Sequence, residues 1–402
     1  MENSASPHFR ILEFYSGIGG MHYAFQGSGH QGEIVKAFDI NTTANQVYAH
    51  NHGKDRLGQY TRTGNQEGSK DTRAKSFLHL MNLLPQLQEK DSAPDYILLE
   101  NVKGFEESDS RDLLVETLTK TGYEYQEMLI TPLQIEIPNS RMRYYCLARR
   151  TEKVGSFARP VTGTLIGYIP SDKDDETDFV DGRKQGDLSG LSTSAAAKKR
   201  RTSLTTSTVT KEDTDEDRKR VENEKPDEET ILADPMLALK IAPLEGYLEF
   251  QDATDERMRR YAIPEKTLLK YGRLFDIVKT STRRSCCFTK GYYHFVESTG
   301  SILQMENDLD TAAVFVEAEA LKAKETTTEE EAETNNAKAL KLLQTLNLRY
   351  FTENEVARLM GFPVVEGQFS FPEATTLKQR YRVLGNSINV KVVSRLVKYL
   401  LA

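Results

Sequence analysis

A chain of 402 residues, 38% hydrophobic and 28% charged, is long enough for two or three domains but polar for one compact globule, so folded parts joined by solvated segments are expected. No apolar run reaches the length of a membrane span, and the N-terminal MENSASPHFRILEF lacks a signal-peptide pattern. The net charge is −7, yet residues 171–235 carry −6 and residues 316–335 carry −5, which leaves +4 on the rest; that balance suits a polyanionic partner or an ordinary surface. The three cysteines, Cys146, Cys286 and Cys287, make neither a disulfide framework nor a metal-ligand pattern, so no metal and a reduced cytoplasmic or nuclear compartment are expected.

In chain order, FRILEFY (9–15) reads as a buried strand running into a glycine-containing turn, and EIVKAFDI (33–40) as a second strand ending in an acid. NTTANQVYAHN (41–51) reads as a helix capped by Asn41 or Thr42. Residues 72–90 carry a helical stripe through Phe77, Leu80, Met81 and Leu84. DYILLENV (95–102) is a nearly continuous apolar strand, and SRDLLVETLTKTGY a helix ending at Gly122. EYQEMLIT and RYYCLARR are further strands. This alternation predicts βα units and a mostly parallel sheet covered on both faces. From about 160 to 235 the chain is Ser/Thr-rich, highly charged and poor in apolar residues, which predicts disorder; its KKRR (198–201) suits a nuclear localisation signal or a solvated linker. A second polar stretch (317–336) predicts a frayed helix or linker. An ordered block (245–305) follows the first of these stretches, and the last helix carries a stripe through Ile388, Val392, Leu396 and Leu400.

Three stretches carry the chemistry. In FYSGIGGMH (14–22) a strand meets three glycines and a helix opens; glycine lets the backbone lie against a ligand, although such turns also serve packing. Asp39, about 20 residues on, is placed to take the ribose hydroxyls of a nucleoside cofactor. In ENVKGF (100–105) Glu100 ends a strand, where a partly desolvated carboxyl can share a proton with a ring nitrogen, or cap the next helix. In NSRMRYY (139–145) Arg141 and Arg143 share one face of a strand, a pairing suited to phosphate or a carbonyl oxygen.

Together these stretches, with RVLGNSINV (382–390), resemble the cytosine-5 methyltransferase superfamily. CCFTKGYYHFVESTGSIL (286–303), with its Cys-Phe-Thr signature, resembles the tRNA-directed branch, the type-two DNA methyltransferase homologues. The resemblance spans roughly residues 9–150 and 245–400. It implies an α/β, Rossmann-like S-adenosylmethionine-dependent methyltransferase sheet with a small target-recognition domain and a disordered insert. The implied parts are a catalytic domain (1–155), the insert (156–240), target recognition (241–345, with linker 316–339) and a closing segment (346–402). It implies methylation of cytosine C5 in the anticodon loop of aspartate tRNA, DNA being the alternative substrate, by a monomer that needs no membrane. Glu100 would partner N3, and Arg141 and Arg143 the base or its phosphate. Ser16, Gly17, Ile18, Gly19, Gly20, Asp39, Asn386 and Ser387 would meet the cofactor, and Cys287, Phe288, Thr289 and Lys290 the substrate.

One stretch breaks the pattern. In HNHGKDRLGQYTRTGNQ (50–66) a family-like helix ends near Asn51 and family-like sequence resumes near Tyr60, but the Pro-Cys-Gln motif that carries the nucleophile is absent. The resemblance implies that about 30 residues are missing, one βα repeat, including a central strand. FRILEF and DYILLEN must then pair directly or leave ladder groups unpaired, and the chain is expected to be inactive or a binding-only relative. Cys146 is expected in core packing. Cys286 and Cys287 are expected on a segment with no path to the cofactor and no basic neighbour for a thiolate.

Overall fold

The computed structural model describes residues 7–58, 72–158, 163–170, 228–250, 255–295, 297–325 and 328–402. The expectations of disorder and a localisation signal within 171–227 lie outside the described residues, as do residues 59–66 of the 50–66 seam.

Strand β1 (His8–Phe14) leads through a glycine turn into helix α1 (Gly20–Gly27), then β2 (Gln31–Phe38) and α2 (Thr42–His52). β1 and β2 pair in parallel, with a register shift between Ile11 and Leu12. Asn41 is the cap of α2: its side-chain oxygen accepts from the amides of Thr43 and Ala44, which satisfies two of the helix's orphan donors.

After α3 (Thr72–Glu89) come β3 (Tyr96–Val102), α4 (Asp109–Lys120), β4 (Tyr123–Ile130), β5 (Arg143–Arg150) and the short β6 (Leu165–Ile166), in the sheet order β3-β5-β4-β6. The expectation of a mostly parallel sheet is corrected here. β5 lies antiparallel to both neighbours, because β4 returns to it through a 3-10 turn (Pro132–Ile135) with no crossover helix.

The sheet is also split. Among the described residues β1 pairs only with β2, and β3 only with β5. Direct pairing of FRILEF with DYILLEN therefore does not occur. The two strands meet through side chains at their amino ends, where Phe9 and Tyr96 stack edge-on at 5.9 Å. Leu12 and Phe14 are 57% and 45% exposed, and every residue of β3 up to Asn101 is half-buried where a doubly covered strand was expected.

A third sheet, β7 (Asp276–Lys279), β8 (Ser301–Gln304) and β9 (Leu348–Tyr350), carries the recognition segment. The stretch read as a frayed helix or linker (317–336) falls largely in two helices, α5 (Thr311–Lys322) and α6 (Glu329–Gln344). Small Ala318 and Ala339 let them approach, and Val314 and Leu343 are buried with them. Residues 228–240, assigned to the insert, also include two short helices, with Ile231 packed beside Leu133 and Ile241. Helices α7 (Glu353–Leu359), α8 (Leu377–Gly385) and α9 (Val390–Leu400) close the chain. α9 buries Val392, Val393, Leu396 and Leu400 and lies so close to α1 that a Cβ on Gly27 would sit 2.9 Å from Ser394 Oγ. Tyr399 hydrogen-bonds Gln126 of β4 at 3.0 Å, so α9 ties the first sheet to the second.

Candidate active site

The glycine turn after β1 is held by its own backbone. Gly19 donates to the Ser16 carbonyl at 2.9 Å, Ser16 donates to Phe38 of β2 at 3.0 Å, and Gly17 donates to Asp39 Oδ2 at 2.8 Å. Asp39 Oδ1 accepts from Asn41 at 2.7 Å. Asp39 thus joins the turn to the entry of α2 and keeps one further acceptor position on each oxygen. Gly19 has φ +88°, and a Cβ there would overlap His52 Nε2. Ile18 is fully buried and packs in this turn, with Gly19 and Gly20 buried beside it and Gly17 half-buried. Ser16 Oγ and Asn45 Oδ1 are buried without a partner. A cavity of about 320 Å³, lined by Ile40, Asn41, Thr42, Thr43, Gln379, Arg382 and Val383, opens beside Asp39. These features suit a nucleoside-sized group: glycine backbone on one side, an acid for hydroxyls and unspent polar atoms.

Beneath the turn lies a buried cluster that sequence reading missed. Tyr48 donates to Glu13 Oε2 at 3.4 Å and contacts His22 Nδ1 at 3.0 Å, and His22 stacks on His52 with ring centroids 3.7 Å apart. Burial pushes Glu13 up to about 8, against the opposing pull of Tyr48 and the amides of His22 and Met21. Burial also pushes His22 down to about 4 and His52 down to about 3. The only sequence signal was an acid in the middle of an apolar strand.

The second half of the site gathers four segments. Glu100, near the end of β3, faces Arg143 at the start of β5, with Oε1 3.5 Å from Nε. Burial raises the Glu100 carboxyl above its usual range, and Arg141 and Arg143 pull against that. Glu100 does not cap the next helix; Ser108 does, by accepting from Arg111. Arg141 is 4% exposed. It donates to the carbonyls of Phe288 (3.3 Å), Gly385 (3.4 Å) and Ser387, and to Cys287 Sγ at 3.2 Å. This arginine is a clamp between the recognition and closing segments. Arg143 reaches the same sulfur at 3.7 Å.

One sequence expectation changes here. Cys287 does have basic neighbours, two guanidiniums at its sulfur. Arg141, which holds that sulfur, also clamps Ser387, whose Oγ lies 3.2 Å from where a Cβ on Gly20 would stand. Sequence spacing cannot show this, because residues 141, 287 and 387 meet only in the fold. Cys286 turns the other way, toward Arg284 at 3.9 Å, and burial followed by Asp276 pushes its thiol up to about 11. Cys146 is buried in the second sheet, as expected. Phe288 packs edge-on against Tyr292 and Phe351, and Lys290 is exposed. The backbone of Thr289 and Lys290 lies so close to Gly385 that a Cβ there would overlap it. Asn386 is exposed at the end of α8 and Ser387 is buried. Among the described residues no cluster of histidine, cysteine or carboxylate groups could hold a metal, and no helix is long and apolar enough to cross a membrane.

Comparison with known proteins agrees with this arrangement. The family described as C-5 cytosine-specific DNA methylase matches residues 59–402. A human protein named tRNA (cytosine(38)-C(5))-methyltransferase is 36% identical over 427 positions, covering 97% of this chain and 98% of its own length. A Dictyostelium discoideum protein named DNA (cytosine-5)-methyltransferase is 32% identical, covering 98% and 94%. A crystal structure of a Spodoptera frugiperda DNMT2 triple mutant superposes with a TM-score of 0.66 at 33% identity, covering 98% of this chain and 99% of that one. With the acid, the arginine pair and the glycine turn in one site, and with near-complete coverage by these relatives, the chain belongs to the C-5 cytosine-specific methylase family.

Proposed function

We propose that this chain is by lineage a tRNA-directed cytosine-C5 methyltransferase, and that in its present form it binds RNA and S-adenosylmethionine without completing methyl transfer. The observation that carries the first part is the convergence of Glu100, Arg141 and the Cys-Phe-Thr segment beside the glycine turn. The names of the similar proteins support tRNA as the substrate. S-adenosylmethionine, when bound, supplies the methyl group. Ser16, Gly17, Asp39 and the cavity beside Ile40 would hold it, and Asn386 and Ser387 lie at the closing side. Glu100, whose carboxyl burial raises above its usual range, would share a proton with N3 of the cytosine, and Arg143, 3.5 Å away, would face the carboxylate.

The second part rests on the seam. Residues 1–145 contain no cysteine, so the family's nucleophile has no counterpart on that side of the sheet. The family match begins at residue 59, inside the seam. The alignment with the human relative runs over 427 positions but takes in 97% of 402 residues, about 390, so about 37 positions face no residue of this chain. Among the described residues β1 and β3 have no common neighbour, which supports a segment missing between them.

Sequencing the transcript across codons 50–62 decides whether a longer form exists. Methyl transfer by both forms, assayed in parallel on tRNA and duplex DNA, then tests the function. Expected is transfer to tRNA by a longer form only. Transfer by the 402-residue chain at a comparable rate refutes the second part, and transfer to DNA alone refutes the first.

A further inference from the structure

We propose that Cys287 is a nucleophile in its own right, and that this chain uses it to add reversibly to C6 of a cytosine, exchanging the C5 hydrogen with water. The inference rests on the RNA-binding reading above and assigns a partial reaction to the same site.

The geometry has three parts. Cys287 Sγ accepts from Arg141 at 3.2 Å and from Arg143 at 3.7 Å. A sulfur flanked by cations is the setting in which thiols act as nucleophiles, because the thiolate is the reactive form. Arg143 also contacts Glu100, 3.5 Å from its Nε, which is the only polar side-chain contact of Glu100 among the described residues. One guanidinium, about 2.3 Å across, thus touches both the acid and the sulfur, and the two are at most about 9.5 Å apart. A cytosine hydrogen-bonded at N3 and approached at C6 spans roughly 6–9 Å between those same partners. Independently, Arg141 Nε is buried and has no hydrogen-bond partner, an unspent donor in the wall of the site that suits the O2 carbonyl of the base.

The step balances as follows. The thiol proton leaves to water. The sulfur lone pair forms the S–C6 bond, the C5–C6 π pair moves to C4–C5, and the C4–N3 π pair takes the proton from Glu100. Water protonates C5 of the enamine. Loss of either C5 hydrogen to water, return of the N3 proton to Glu100 and expulsion of the thiolate regenerate the base. Nothing is oxidised or reduced and no methyl donor is consumed. Cys286 is the internal control, because it is adjacent in sequence but faces Arg284 and Asp276 instead of the acid.

The test uses the full chain and three readouts. Iodoacetamide should alkylate Cys287 at least tenfold faster than Cys286 at pH 7. Denaturant-stable adducts with tRNA containing 5-azacytosine should map to Cys287 by mass spectrometry. Tritium release from tRNA bearing 5-tritiated cytosine, without cofactor, should fall at least tenfold in Cys287→Ser and persist in Cys286→Ser. Equal alkylation of the two cysteines overturns the inference. So does RNA retained in a filter assay with no adduct at Cys287, which leaves the RNA-binding reading intact. Failure to retain RNA overturns both readings, and the alkylation ratio still reports whether the sulfur is activated.

Discussion

Replacing Glu13 with glutamine should remove most of this protein's loss of stability between neutral and mildly alkaline pH. Glu13 is 4% exposed and its Oε1 has no partner, so burial raises it from 4.5 to about 8. A carboxyl raised in the folded state contributes fully below its unfolded value, and that contribution is lost as pH rises through the folded value. Between pH 6.5 and 8 the unfolded chain has already released this proton while the folded chain still holds it. At about 1.4 kcal/mol per pH unit, tapering near the folded value, the wild-type chain loses about 1.5–2 kcal/mol from this one group. Urea unfolding at pH 6.5, 7.25 and 8, on wild type and Glu13→Gln, isolates the effect, since every other group cancels in the difference. The stability of wild type relative to the variant should fall by that amount across the interval. A difference that does not change with pH refutes the reasoning and means that Glu13 is ionised in the fold.

The same cluster predicts an acid limb: His22 and His52, depressed to about 4 and about 3, keep their contribution above pH 6.5 and lose it as pH falls below that value, so His52→Phe should flatten the decline between pH 6.5 and 4 in the same urea assay. Gly19→Ala should destabilise by more than about 1 kcal/mol and weaken S-adenosylmethionine binding by calorimetry, because a side chain at φ +88° is strained and would overlap His52. Arg349→Ala should cost about 3–5 kcal/mol in urea unfolding, since it strands Glu355, which Arg349 holds at 2.7 and 2.8 Å in a fully buried pair. Tritium exchange should fall as pH rises through the raised value of Glu100, which must hold its proton to give it to N3, and Glu100→Gln should lower the rate about a hundredfold or more at every pH.

Local periodicity made most of the elements legible. Every strand of the first two sheets except β6, which falls in a stretch expected to be disordered, the Asn41 cap, and the stripe of the last helix from Val392 to Leu400 all follow from nearest neighbours along the chain. Partner choice was not legible. Nothing within RYYCLARR says that it runs antiparallel between β3 and β4, because that depends on a connection without a helix. A helix was one of two readings of 317–336, but the packing of α5 on α6 was masked by charge: two buried alanines let backbones approach with few large apolar residues. The acid and the arginine pair were readable as residue types in a pattern. Their junction with Cys287 was not, since it needs contacts across some 146 residues of chain.

The split sheet raises the question of why the site assembles at all. A βα unit normally aligns the glycine turn with the acid by pairing their strands to one common neighbour. Among the described residues β1 and β3 share none, and the residues of both strands are mostly half-buried or exposed, which leaves water access to those edges. The cost therefore moves from unsatisfied hydrogen bonds to exposed Leu12 and Phe14 on an open edge, which invites association. Alignment comes instead from the closing segment. α9 packs on α1 at Gly27 and Ser394 and reaches β4 through Tyr399, so one helix is fixed to both sheets. Just before it, Gly385 and Ser387 receive Arg141, and Arg141 holds Cys287. The glycine turn, the arginine clamp and the recognition segment are thus referenced to residues 385–400. On the reading proposed above, loss of a strand between β1 and β3 would remove the family's nucleophile while these contacts remain. Truncating α9 should have the opposite effect, separating the glycine turn from Glu100 even though every side chain named in the site is still present.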